Sequence, residues 1–330
     1  METIIWTAVI LIALALIFDF TNGFHDAANS IATVVATETL TPSQAVAMAA
    51  FFNFVVMFFI TFEVAATVGK GIVNPSAVTL HVLFGCLAAA IVWNLITWWF
   101  GMPTSSSHAL IGGLVGAAVT ANGWNVVIEN GLYRVAAFIV AAPLIGFALG
   151  ATFNTVIRNI VHSNNDAQDK CFRRLQLVSA ACYSMGHGAN DAQKTAGIIF
   201  LILLASGMIA ANDPIPMWGI WISFIVMGLG TLAGGWRIVQ TLGFRLTHLT
   251  PRQGFVAESG GSVMLFATSA MGIPVSTTQV ITGSILGTGA SEVTPKVQWK
   301  RAQDIVIAWI LTIPCSAILG SVFYYLGNQF

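Results

Sequence analysis

The chain has 330 residues, 56% of them hydrophobic and only 8% charged, with zero formal net charge and a mean hydropathy of +0.82. Soluble domains carry about 25% charged residues, so composition excludes an ordinary water-soluble enzyme, and the balanced charge offers no footing for nucleic acid. Cys86, Cys171, Cys182 and Cys315 are scattered without CxxC or His pairing, which reads as apolar packing and not as a metal or disulfide framework.

At about 20 apolar residues per membrane crossing, ten segments are predicted. The first covers residues 4–35. It begins like a signal-peptide core but lacks a basic leader and runs on into a polar motif, so it reads as a retained helix. Residues 43–66, 81–100, 103–121 and 134–157 follow, with Trp93, Trp98 and Trp99 suited to an interfacial belt. After a polar stretch come 175–206, 216–236, 254–271, 274–289 and 304–326. The first and sixth segments are over-long with polar middles, which predicts broken helices. The fourth and ninth are short and Gly-rich, and each also reads as a re-entrant hairpin with a half-helix.

Two motifs occur twice. NGFHDAANS (residues 22–30) returns as HGANDAQKT (187–195), and GMPTSSSHALIGG (101–113) returns as GIPVSTTQVITGS (272–284). Asp191 follows Asp26 by 165 residues, and Pro274 follows Pro103 by 171. The chain therefore divides into a first repeat over 1–160, a short cytoplasmic linker over 161–174 and a second repeat over 175–330. Five crossings per half is an odd number, so the second copy enters the membrane from the opposite side, an inverted-topology repeat. Lys/Arg placement tests this independently. Arg158, Lys170, Arg173, Arg174, Arg237, Arg245, Arg252, Lys296, Lys300 and Arg301 fall on one side by this count, while Lys70 and Arg134 fall on the other and Lys194 lies within. The positive-inside rule then places the central loop in the cytoplasm and both termini outside. The fold class is an all-α polytopic membrane protein of two inverted repeats with broken helices and candidate re-entrant hairpins.

An ionisable side chain deep in a bilayer costs at least about 2.5–3.5 kcal/mol, so each one marks a functional candidate. Asp26 and Asp191 are equivalent, as are His25 and Asn190, Asn29 and Lys194, and Ser30 and Thr195. Two carboxylates related by a pseudo-two-fold axis can converge to hold a hard cation through oxygen or to take up a proton. The bland reading is a packing ion pair, for example Asp191 with Lys194 one turn on. Thr104, Ser105, Ser106 and Ser107, and their counterparts Ser276, Thr277 and Thr278, each follow a Pro and precede a Gly-rich helix. Such hydroxyls suit helix N-caps, and a helix N-terminus with free N–H groups is a seat for an anion. Ordinary capping of a broken helix is the alternative. No Arg lies within these motifs, so a tetrahedral oxyanion there would meet hydroxyls and N–H groups in place of Arg forks that grip tightly. Glu63 and Glu258 are further candidate coupling carboxylates. His108, which aligns with Gln279, suits hydrogen bonding, His25 could tune coupling, and Asp19 is left without a role.

These residues resemble the inorganic phosphate transporter (PiT) family, whose doubled signature is present here as GFHDAAN, GANDAQK, PTSSSH and PVSTTQ. The resemblance spans both repeats and the order of motifs. It implies a transport domain of broken helices and hairpins, a scaffold domain and a homodimer. It also implies that Asp26 and Asp191, with Asn29 and Asn190, form the centre, and that Ser105, Ser106, Ser107, Ser276, Thr277 and Thr278 line the phosphate and ion sites. His25, Gln193 and Lys194 look more like the bacterial low-affinity branch, which implies proton coupling and carriage of phosphate with a divalent metal. Other branches are sodium-coupled. The short central loop departs from larger members that carry a long cytoplasmic domain.

The expectation is a secondary active phosphate importer in a bacterial-type plasma membrane, working by alternating access, with H+ or Na+ as coupling ion and no organic cofactor. The rival of the same fold is a sulfate permease, since sulfate is also tetrahedral. A channel built on half-helix dipoles would lack ion coupling. A hydrolase using Ser107 and His108 is disfavoured because adjacent helical residues do not face each other and no G-x-S-x-G is present.

Overall fold

The computed structural model describes residues 2–161 and 165–329 and is built of helices. Helices α1 (Glu2–Ala36), α2 (Pro42–Val55), α3 (Glu63–Lys70), α4 (Leu80–Trp99), α5 (Ser106–Asn122) and α6 (Glu129–Ile160) are followed by α7 (Asp166–Ala205), α8 (Met217–Ala233), α9 (Trp236–Val239), α10 (Pro251–Ala270), α11 (Thr277–Ala290) and α12 (Trp299–Gly327). The α9 turn continues as a π-helical stretch over Gln240–Arg245. An isolated antiparallel bridge joins Val73 and Val127. The elements come in the same order twice, down to the bend that follows the second helix of each set. Pro42–Phe58 meets α3 at 85°, and α8 meets Trp236–Arg245 at 63°.

Two expectations about the elements need correction. α1 and α7 are continuous over 35 and 40 residues, so their polar middles do not break them. In the stretch 161–174 between the two sets, α7 already begins at Asp166, and residues 162–164 lie outside the described residues. The number of clean spans also falls below ten. Among the described residues four helices (α1, α4, α6, α12) are long and apolar enough to cross a membrane, or up to six if each bent pair counts as one span. With 17 and 14 residues, α5 and α11 reach only roughly 25 and 21 Å at 1.5 Å per residue, less than a bilayer core of about 30 Å.

These two short helices are the innermost elements, buried along almost their whole length. Each follows an extended Pro loop that doubles back from the preceding helix, with Gly101 (φ +64°) and Gly272 (φ +65°) at the tips in the left-handed region that glycine enters freely. The tips are held alike. Thr241 Oγ1 donates to Gly101 O at 2.8 Å, and Thr67 Oγ1 donates to Gly272 O at 2.7 Å. α5 packs on α12 and α11 on α6, so each half-helix lies against the last helix of the other set. Small residues permit this approach: a Cβ on Gly116 would stand 2.1 Å from Ala317 O, and one on Gly287 would stand 2.0 Å from Phe147 O.

Arg158, Arg173 and Arg252 gather at one end of the molecule. Arg158 Nη1 donates to Ser291 O at 2.5 Å, Arg252 pairs with Glu292 at 2.7 Å, and Arg173 Nη1 reaches Thr37 O at 2.7 Å. The start of α12 is tied there by Gln298 N to Leu246 O at 2.8 Å. At the opposite end Lys70 meets Asp213 O at 3.4 Å, and Ile128 N meets Ile72 O at 3.0 Å just before α6.

Candidate functional site

α1 and α7 bring Asp26 and Asp191 to the middle of the bundle, where the N-termini of α5 and α11 converge on them. Ser105 and Ser276 cap these two helices, accepting from His108 N at 3.1 Å and Gln279 N at 3.2 Å. Capping takes up their hydroxyls as acceptors, so the direct contacts fall to the next two residues of each helix. Ser106 Oγ donates to Asp26 Oδ2 at 2.6 Å and is 2.5 Å from Asn22 Oδ1. Thr277 Oγ1 donates to Asp191 Oδ2 at 3.1 Å, and Thr278 Oγ1 lies 3.4 Å from Asp26 Oδ1. Asn29 Nδ2 donates to Thr278 at 2.9 Å and Thr277 at 3.2 Å. Lys194 Nζ donates to Ser107 Oγ, to Asp191 Oδ1 and, at 3.0 Å, to Val275 O. Asn190 Oδ1 accepts from Val275 N at 3.2 Å. The bland ion pair between Asp191 and Lys194 is therefore present, but inside a larger network that joins both sets of helices.

The centre is closed. Asp26, Asn29, Ser105, Ser106, Ser107, Asn190, Asp191, Ser276, Thr277 and Thr278 each expose no more than 3% of their surface. Cavities open instead at the two hairpin tips. One of 390 Å³ is lined by Met102, Pro103, Arg245 and Arg301, and one of 240 Å³ by Thr67, Arg134, Ile273 and Pro274. Several buried polar atoms have no protein partner: Asn29 Oδ1, Asn190 Nδ2 and Thr104 Oγ1 at the centre, and His108 Nδ1 and both amide atoms of Gln279 further along α5 and α11. Buried polar atoms are normally paired, so this concentration marks a place built to receive a polar ligand or water.

The candidates divide accordingly. His25 joins the centre through Nδ1 to Asp26 Oδ1 at 2.8 Å and Nε2 to Thr97 Oγ1 at 3.0 Å. His108 and Gln279 are buried one turn inside α5 and α11. Glu258 is fully buried but sits beside Thr33, one turn beyond Asn29, held also by Ser179 at 2.5 Å and Gln176 at 3.3 Å. Glu63 is exposed at the first turn of α3, next to the Gly272 tip and away from the centre. Asp19 accepts from Thr195 at 2.8 Å.

Sequence reasoning passed over His187, Asn22, Asn53, Thr97 and Tyr183. His187 opens the second motif, four residues before Asp191 and so on the same helical face, which was a usable signal; its Nε2 is 3.2 Å from Asp191 Oδ2. Asn22 holds the matching place before Asp26. Tyr183, whose hydroxyl donates to Thr277 O at 2.8 Å, and Asn53, which meets His187 Nδ1 at 3.2 Å, carry no such signal.

An all-helical bundle with apolar spans, two hairpins and a closed polar centre is the architecture of a membrane transport protein. The chain matches the phosphate transporter family over residues 22–320 and belongs to that family. It is 49% identical to a probable low-affinity inorganic phosphate transporter of Rhizobium meliloti (strain 1021), over 96% of this chain and 96% of that protein. A protein of the same description from Bacillus subtilis (strain 168) is 40% identical, over 100% of this chain and 99% of that one. The fold also matches a solved structure described as the sodium-dependent phosphate transporter, with a TM-score of 0.87 and 24% identity over 98% of this chain and 99% of that chain.

Proposed function

We propose that this chain imports inorganic phosphate across a bacterial plasma membrane by alternating access, coupled to a cation. The observation that carries this reading is the meeting of two carboxylates from α1 and α7 with the hydroxyl-bearing N-termini of α5 and α11 in one closed centre. Helix N-termini attract the anion. A bound cation or proton offsets the negative charge of Asp26 and Asp191, which would otherwise repel phosphate. The near-neutral assembly then crosses as one set of helices rocks against the other, and release follows where ion activity is lower. The two sets would be an inverted repeat. In this reading the basic end faces the cytoplasm, so both chain termini lie outside. The relatives named above are described by phosphate, and the sulfate alternative draws no support from them.

The finer reading, phosphate carried with a divalent metal, is supported by ligand atoms of Asp26, His187 and Asp191 lying within 4.8 Å of one another. A hydrogen-bond chain orients His187. Thr231 Oγ1 donates to Met227 O at 2.9 Å, so it accepts from Asn53 Nδ2 at 2.9 Å, which turns Asn53 Oδ1 toward His187 Nδ1. Nδ1 must then carry the hydrogen, and Nε2 is the nitrogen that faces the two carboxylates.

The test is radiolabelled phosphate uptake into proteoliposomes under separately imposed proton and sodium gradients, with and without divalent metal. Gradient-driven accumulation is expected. Uptake that only equilibrates phosphate under every gradient would replace the symporter with a channel, and strong competition by unlabelled sulfate would overturn the substrate.

A further inference from the structure

Asn29 and Lys194 hold equivalent places, each three residues after a central aspartate, yet they do different work. Asn29 Nδ2 bridges the hydroxyls of Thr277 and Thr278 and makes no bond to Asp26. Lys194 Nζ has three hydrogens and three acceptors: Asp191 Oδ1, Ser107 Oγ and Val275 O. A carboxylate, a hydroxyl and a main-chain carbonyl are the oxygen donors that a hard cation gathers. Lys194 is fully enclosed, so its charge is not screened by solvent. The same elements on the Asp26 side bring no ammonium: Thr278 stands where Ser107 does, Thr104 where Val275 does, and the Thr104 hydroxyl and Asn29 Oδ1 are without partners.

Resting on the phosphate-transport reading, we infer that Lys194 is a tethered cation that takes the place of one mobile coupling ion at Asp191, so that this chain binds phosphate with one cation fewer than it would with Asn at that position. Asp191 keeps Lys194 on its Oδ1 through the whole cycle, and the cation exchanged with solution is the one that Asp26 helps to hold. The ammonium cannot leave, so its charge returns with the protein and adds nothing to the coupling stoichiometry.

The experiment measures binding of labelled inorganic phosphate to the full chain in nanodiscs across a sodium series, with choline holding ionic strength constant. Linkage makes the slope of log affinity against log sodium the number of sodium ions taken up with phosphate. For Lys194→Asn the slope is expected to exceed the wild-type value by about one, with affinity in choline reduced at least about tenfold and recovered in sodium. Asp191→Asn/Lys194→Asn removes carboxylate and ammonium together, so its slope should return to the wild-type value. An unchanged slope in Lys194→Asn overturns the inference and shows a purely structural ion pair. Where Lys194→Asn yields no folded protein, Lys194→Gln, which keeps a long polar side chain and leaves Asp191 in place, is read in the same way: a slope higher by about one sustains the inference and an unchanged slope overturns it. Wild-type chain that binds no phosphate under any cation would instead sink the transport reading itself.

Discussion

The two halves of the centre share a plan and differ in filling. Asp26 is served by His25, Ser106 and Thr278, and Asp191 by His187, Lys194 and Thr277. Related positions thus give one carboxylate neutral hydroxyl neighbours and a histidine beside it in sequence, and give the other a permanent cation and a histidine one turn away. Duplication supplies two similar cages of helix ends, and substitution inside them separates their tasks. One half is fixed by the protein's own charge, while the other is left to respond to the solution.

The largest expected difference between the halves is in stability. Asp191→Asn strands a buried ammonium, and breaking a buried pair this way costs about 3–5 kcal/mol. Asp26→Asn leaves His25 and hydroxyls that tolerate an amide. Thermal melts in detergent should therefore fall much further for Asp191→Asn, and equal melts would mean that Lys194 contributes little. Next come the packing glycines. Gly116→Val and Gly287→Val each drive a side chain into a carbonyl of the partner helix, and overpacking of this kind costs about 1–3 kcal/mol. Because α5 and α11 are held in the same manner, the two losses should be similar in chemical denaturation, and a harmless change at one site would break the equivalence.

A smaller, local effect distinguishes the hydroxyls. Ser106→Ala removes contacts of 2.6 Å and 2.5 Å to Asp26 and Asn22, whereas Thr277→Ala removes one of 3.1 Å to Asp191. A hydrogen bond to a charged group contributes about 1.5–3 kcal/mol, so phosphate affinity measured by equilibrium dialysis should drop more for Ser106→Ala. Smallest are the caps: Ser105→Ala and Ser276→Ala should each cost about 1 kcal/mol of stability, equally in both halves. A loss of phosphate binding out of proportion to that would give the cap hydroxyls a direct part in the site.

Much of this was legible in the chain. Apolar runs placed residues 4–35 and 81–100 within a residue or two of Glu2–Ala36 and Leu80–Trp99, and the doubled Pro motifs located both half-helices. What was misread was continuity. A stretch such as Asn22 to Ser30 looks like a break because its polar side chains have no partners nearby in sequence, yet those partners stand on α5 and α11, 80 and 252 residues away in the contacts of Asp26 with Ser106 and Thr278. Tertiary pairing keeps such a helix intact. The same distance hides Thr97 and Tyr183, which belong to the centre only through folding. Glu63 lies in apolar sequence, yet the bend before α3 brings it to the surface beside the Gly272 tip, a placement that only the fold reveals.

The central claim, that Asp26 and Asp191 together couple phosphate to a cation, is tested most directly by gradient-driven phosphate uptake in proteoliposomes carrying Asp26→Asn or Asp191→Asn, each checked for folding by size exclusion. Wild-type chain should concentrate phosphate when a cation gradient is imposed, and folded Asp26→Asn should not. Accumulation at the wild-type rate in both variants would contradict it.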